Sequence, residues 1–252
     1  MNMTGAFSKS IESYLNYTRM PWGRLFYQTA WHQIDKYFIE QSQSILDIGC
    51  GFGITSGEYA MRGNRVTGIE PTMEMISIAR QNSEKASFIC DSFENIADGI
   101  GKYNWIFCHN ILEYTAQPDQ FIRQISSCQE NNGFISLIFH NPAAKIMKKA
   151  IVNKDPKAAY ESIGNSKEYS AIIQTDITTY TYDQLAAWLG ESHYEIVGDF
   201  GIHNIYGYVT DNEIKHNDPW HNDMMKLEFE LGGQNPFKDI AIFKHIIARK
   251  RS

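Results

Sequence analysis

The residues best suited to chemistry begin at Ser44 with SILDIGCGFG, an apolar run closed by three glycines spaced G-x-G-x-G. Gly49, Gly51 and Gly53 follow one expected strand and precede an expected helix. Glycine there permits a tight turn and lets ligand atoms approach the backbone. The pattern is not the dinucleotide G-x-G-x-x-G, because the third glycine comes after one residue rather than two. Asp47 stands just before the loop, where its charge would oppose a pyrophosphate and suit an ammonium. Glu70 closes the next apolar run, and an acid at that place can accept both hydroxyls of a ribose. Asp91 closes the run after it, placed either to accept from a base amino group or to cap a helix. The ligand these residues outline has an amino-acid end, a ribose and a base.

Those residues need a sheet to hold them. SILDIG, RVTGIE, ASFIC, YNWIFCHN and GFISLIFHN read as five buried strands, with amphipathic segments such as TMEMISIARQNSEK and PDQFIRQISSCQE between them. Continuous apolar strands alternating with helices predict an α/β fold, a mostly parallel sheet with helices on both faces. Residues 1–40 read as a helical cap, with Leu25, Trp31, Ile34 and Phe38 on one face. Residues 44–140 form the expected ligand-binding core. The alternation stops at 141–180, a polar, lysine-rich stretch too long for a plain connection, which reads as an insertion over the functional edge. Residues 181–252 complete the sheet with two further strands in a single domain. There Thr181 is the expected N-cap and Gly190 the expected end of a helix, and another helix lies near WHNDMMKLEFEL.

The bulk numbers exclude some classes. A net charge of −6 over 252 residues argues against a generally basic nucleic-acid binder, though not against a local basic face. Cys50, Cys90, Cys108 and Cys128 form no C-x-x-C pair and no zinc spacing, so no metal site is expected. They read as core thiols in a reducing compartment. No signal-peptide pattern and no run of membrane-spanning length is present, which gives an expected cytoplasmic protein.

S-adenosylmethionine (SAM) has the composition that the acids and glycines outline. ILDIGCGFG with VTGIEPTMEMISIAR resembles motifs I and II of the class I SAM-dependent methyltransferases, whose fold is a seven-stranded Rossmann-like sheet. The resemblance implies that Asp47, Gly49 and Gly51 meet the methionine part and ribose and that Glu70 grips the ribose. It places Pro71 and Met75 near the adenine, Asp91 and Ser92 in the adenine-side loop, and His109 and Leu112 near the sulfonium. The product would be S-adenosylhomocysteine. The pattern H-x-x-L-E-Y-x-x-x-P (His109, Leu112, Glu113, Tyr114, Pro118) resembles the tRNA 5-carboxymethoxyuridine methyltransferase family, as do SLIFHNPAAKIM and HIIARK. That family esterifies the carboxylate of a modified wobble uridine. The chain departs from it at Phe26, where the family has arginine, and at His140, where it has tyrosine.

Each remaining candidate has a functional and a structural reading. Arg24, with Arg19 behind it, is expected to pair with the cofactor carboxylate or an acidic substrate. His109, His140 and Asn141 are the candidate catalytic residues, or else they secure the strand ends. Glu113 either acts in the site or caps backbone N–H groups. Tyr114, Tyr206 and Tyr208 either wall a substrate pocket or belong to the core. Lys145, Lys148, Lys149, Lys154 and Lys157 suit a phosphate backbone or form a solvated face. Methyl transfer to a carboxylate needs no base, whereas transfer to a hydroxyl calls for one such as His109 or His140. The expected function is therefore methylation of tRNA at a carboxylate or oxygen. The alternatives are a small-molecule O- or carboxyl-methyltransferase, signalled by a closed aromatic pocket with no basic approach, and a non-catalytic SAM-binding protein.

Overall fold

Branched and aromatic runs become strands here because their side chains pack on a pleated surface buried on both sides. The computed structural model describes residues 3–38, 42–170 and 175–252, with residues 3–10 described by backbone alone. In chain order the strands are β1 (Ser44–Ile48), β2 (Arg65–Ile69), β3 (Ser87–Ile89), β4 (Tyr103–His109), β5 (Gln129–His140), β6 (Lys167–Ser170), β7 (Thr175–Thr178), β8 (Tyr194–Ile202) and β9 (Phe243–Lys250). Seven of them form one sheet in the order β3-β2-β1-β4-β5-β9-β8, and β6 pairs with β7 alone. β1 to β5 run parallel, and β9 runs antiparallel to both β5 and β8. This is the mostly parallel seven-stranded class I methyltransferase sheet that the sequence predicts. The strand order reverses between β1 and β4, so the carboxyl ends of those strands flank a crevice.

Successive residues along a strand enter opposite cores. Leu46, Ile106 and Ile246 pack with Phe121, Ile125, Leu185 and Leu189 on one face. Ile45, Trp105 and Ile247 pack with Ile34, Tyr59 and Phe200 on the other. Each such fully buried side chain contributes about 1.5–3 kcal/mol. Two N-terminal helices, α1 (Met3–Arg19) and α2 (Pro21–Asp35), cross at a tight corner. Pro21 opens α2 at a position where no N–H is needed. Gly23 allows the close crossing, since a Cβ there would lie 2.3 Å from the Tyr17 carbonyl oxygen.

The expected insertion contains a helix (Pro142–Met147), a π-helical turn (Lys148–Val152), a second helix (Pro156–Glu161) and the β6–β7 hairpin. Residues 1–2 and 39–40 of the expected cap, and 171–174 of the insertion, lie outside the described residues. Three boundaries differ from expectation. β5 begins at Gln129, and β9 begins at Phe243 because Phe237–Ile240 form a helical turn. The helix opened by the Thr181 capping box runs through Gly190 to Glu191. The left-handed residue beyond its end is His193, at φ 64, so Gly190 has no terminating role.

The loop after β8 is organised by one carboxylate. Glu228, fully buried on the helix Asp218–Leu231, accepts from the backbone N–H groups of Asn204, Ile205 and Tyr206 at 2.6, 2.7 and 2.8 Å, and from Asn204 Nδ2 at 2.9 Å. Replacing Glu228 with alanine leaves these buried donors unpaired. Stability should fall by on the order of 3 kcal/mol, read as a lower urea midpoint, and Glu228→Gln should lose less.

Candidate active site

A cavity of about 630 Å³ opens at the carboxyl ends of β1, β2, β4 and β5, within the roughly 300–1,000 Å³ typical of small-molecule sites. Its floor includes Ile48, Gly49, Gly51 and Glu70. Tyr14, Tyr17 and Thr18 from α1, with Gly23, Phe26 and Tyr27 from α2, form the roof. Ser92, Phe93 and Glu94 close one side; Asn110, Tyr114, His140 and Phe243 line the other, and Ser170 reaches it from β6.

The floor is bare backbone by necessity. Gly49, Gly51 and Gly53 take φ values of 68, 54 and 70°, a region that costs any other residue roughly 1–2 kcal/mol. A Cβ on Gly51 would meet nothing within 4 Å, so its backbone faces open space, whereas one on Gly49 would sit 2.1 Å from Ile111 Cδ1. Beside the loop, Glu70 Oε1 accepts from the Thr72 N–H at 2.9 Å. Burial raises the Glu70 pKa, against the opposing pull of bonds from Thr72 and Gly51. Asn110, just past β4, is itself left-handed at φ 56, and its Oδ1 is buried with no partner among the described residues. A strained residue with an unmet acceptor on a cavity wall is a candidate ligand contact.

Two histidines line the cavity in different electrostatic settings. His109 is half-buried under the roof, and desolvation pushes its pKa down to about 3. Its Nε2 lies 2.8 Å from Ser136 Oγ, which lies 2.8 Å from His245 Nε2. His140, at the end of β5, meets the Glu113 carboxylate twice. Its backbone N–H donates at 2.7 Å, and its Nδ1 lies 2.9 Å from the same Oε1. The ring stands edge-on to Phe243, with centroids 4.9 Å apart.

The structure brings together Gly49, Gly51, Glu70, Pro71, Met75, Ser92, His109, Tyr114 and His140 on this one cavity. The other sequence candidates lie elsewhere. Arg24 is exposed on the opposite side of α2 from Gly23 and Phe26, a consequence of the 100° turn per residue, and its charge acts on Tyr206 and His221. Asp47 sits behind the loop, accepting from Ser56 Oγ at 2.6 Å. Asp91 caps its own turn, with Oδ1 accepting from the Ser92 N–H and from Asn95 Nδ2. Asn141 is consumed structurally: Nδ2 donates to the carbonyls of Asp239 and Ala241, and Oδ1 caps the helix Pro142–Met147. Lys145 is buried, with Nζ donating to the carbonyls of Asn165 and Lys167, so it ties the insertion together. Lys148 is exposed and off the cavity wall. Tyr206 is fully buried, 3.3 Å from His221 Nδ1. The roof residues Tyr14, Tyr17 and Tyr27 were not singled out by sequence, although the i, i+3 spacing of the first two marks a shared helix face.

A family model described as a methyltransferase domain matches residues 45–133. The chain is 25% identical over 241 residues to the tRNA 5-carboxymethoxyuridine methyltransferase of Escherichia coli (strain K12), covering 90% of this chain and 89% of that one. It is 27% identical over 180 residues to the ubiquinone biosynthesis O-methyltransferase of Proteus mirabilis (strain HI4320), covering 67% of each. The solved structure of the plantazolicin methyltransferase BamL with a triazolic desmethylPZN analog and SAH matches with a TM-score of 0.62 at 16% identity, covering 100% of this chain and 95% of that one. That last likeness bears on the fold.

Asp47 gives the site a pH signature. Burial pushes its pKa up to about 7, against the pull of Ser56. The unfolded chain titrates it near about 3.9. Between these values the folded state holds the extra proton, so Asp47's contribution is present at low pH and lost as pH rises through about 7. The melting temperature of Asp47→Asn minus that of the wild type should therefore increase from pH 5 to pH 8 in the free protein.

Proposed function

This chain belongs to the class I SAM-dependent methyltransferases, and on that premise we propose that it methylates a small molecule whose reacting group carries no permanent charge. The carrying observation is the cavity lining: among the described residues no lysine or arginine faces it, and its roof and far wall are aromatic. A carboxylate acceptor buried there would find no lysine or arginine to pair with. Of the lysines with sequence promise as phosphate contacts, Lys145 is already committed to carbonyls and Lys148 lies off the wall.

Three features suit the cofactor. The Gly51 backbone faces open space, Glu70 offers carboxylate oxygens beside it, and Asn110 Oδ1 is an acceptor with no partner among the described residues. In this reading Gly49, Gly51 and Asn110 meet the amino-acid end, Glu70 holds the ribose, and Pro71, Met75 and Ser92 border the base. When bound, SAM supplies a methyl group already activated on a positively charged sulfur. The protein's contribution is positioning and exclusion of water, which the α1–α2 roof provides. The acceptor occupies the half bordered by Phe26, Tyr114, His140 and Phe243.

A second reading, methylation of a tRNA uridine, is favoured by the end-to-end likeness to the E. coli tRNA enzyme. Labelled SAM distinguishes the two. Incubated with metabolite extract and tRNA from cells lacking the gene, the protein should label the metabolite fraction. Label confined to a tRNA nucleoside would overturn the first reading in favour of the second. Glu70→Ala should weaken SAM binding roughly tenfold or more in calorimetry, as expected for losing hydrogen bonds to a charged group.

A further inference from the structure

Hydrogen-bond geometry fixes which nitrogen of each cavity histidine carries a proton. Gln33 Nε2 donates to the Gly201 carbonyl at 2.8 Å, so Gln33 Oε1 accepts from His245 Nδ1 at 2.7 Å. Burial holds His245 neutral, leaving its Nε2 to accept from Ser136. The Ser136 oxygen then accepts from His109 Nε2. His109 thus spends its Nε2–H on Ser136, and desolvation lowers its pKa. His140 is set the other way. Its Nδ1–H points at a carboxylate whose side chain is fully buried, which leaves Nε2 as the ring's lone-pair atom. Glu113 Oε1 is held from two directions by His140 N and Nδ1, while Oε2 has no partner among the described residues. The pair therefore holds the ring in one orientation, with Nδ1 against Glu113.

We propose that His140, oriented by Glu113, is the general base of the reaction, and that the acceptor is therefore a weakly acidic hydroxyl compound of the phenol class. This rests on the small-molecule reading above. The hydroxyl proton passes to His140 Nε2. The hydroxyl oxygen bonds the methyl carbon as that carbon's bond to sulfur breaks, and the electron pair stays on sulfur. The imidazolium is stabilised by Glu113 and later releases its proton to water. Glu113 is the positioning residue.

The probes are 2-naphthol and 2-naphthoate, which share a ring system and differ in offering a hydroxyl or a carboxylate. With labelled SAM, the wild type should form the methyl ether of 2-naphthol. His140→Ala should lower kcat by about 10²–10⁴-fold, the usual range for a general base. KM and SAM affinity should stay within about twofold, and added imidazole should restore part of the rate. Glu113→Gln should give a smaller loss in kcat with SAM binding retained. Independently of turnover, ¹⁵N NMR of the free protein should show His140 protonated at Nδ1 and bare at Nε2. Methyl ester from 2-naphthoate without ether, no labelled product, a wild-type kcat in His140→Ala, or the Nε2-protonated ring would each overturn the proposal. Failure of the wild type to bind SAM would instead defeat the methyltransferase premise, and tRNA labelling untouched by His140→Ala would defeat the small-molecule reading.

Discussion

A single buried hydrogen-bonded chain ties the roof of the cavity to its floor. It starts at Gln33 on α2, touches β8 at the Gly201 carbonyl, passes through His245 on β9 and Ser136 on β5, and ends at His109 on β4. Polar groups in such an apolar interior are costly unless every one is paired, and when paired they fix a single arrangement. Each element in the chain is thereby held in register with the next. The sheet's two apolar faces supply most of the stabilisation through non-directional burial. The polar chain is what sets α2, and with it Phe26 and Tyr27, over the carboxyl ends of the strands.

From that arrangement the cavity acquires two unlike halves. One is backbone and carboxylate: left-handed glycines and Glu70. The other is aromatic, with His140 and its buried Glu113 partner between Tyr114 and Phe243. The first suits a ligand with many donors, and the second an apolar molecule with a single polar group. The separation follows from topology. The strand order reverses between β1 and β4, so the β1 and β2 ends present the glycine loop and Glu70, while the β4 and β5 ends present the histidines. A basic residue on that wall would alter the chemistry, and the described insertion directs its lysines elsewhere.

Much of the fold was legible in the sequence because it depends on local rules. Strands such as YNWIFCHN announce themselves by unbroken apolar runs, and the capping box at Thr181 has a fixed residue signature. The glycine loop was legible for the same reason, since a tight left-handed turn tolerates little else. Boundaries were less legible, because residue composition alone does not say which residue turns left-handed. Gly190 is a terminator by composition, yet His193 ends the helix.

By itself the sequence determined the class of sheet, the glycine floor, the acid beside it and the methyl donor these imply, because each is encoded by residue type and spacing over short distances. It did not determine which side chains face the cavity. Arg24, Asn141, Lys145 and Tyr206 have the right chemistry in the right elements, but helix rotation and prior hydrogen bonds remove them from the site. Tyr14, Tyr27 and the Glu113–His140 pair are in the site because elements distant in the chain pack there. Which nitrogen of a histidine carries the proton is likewise a tertiary matter, since it depends on a partner that the sequence places as many as 212 positions away.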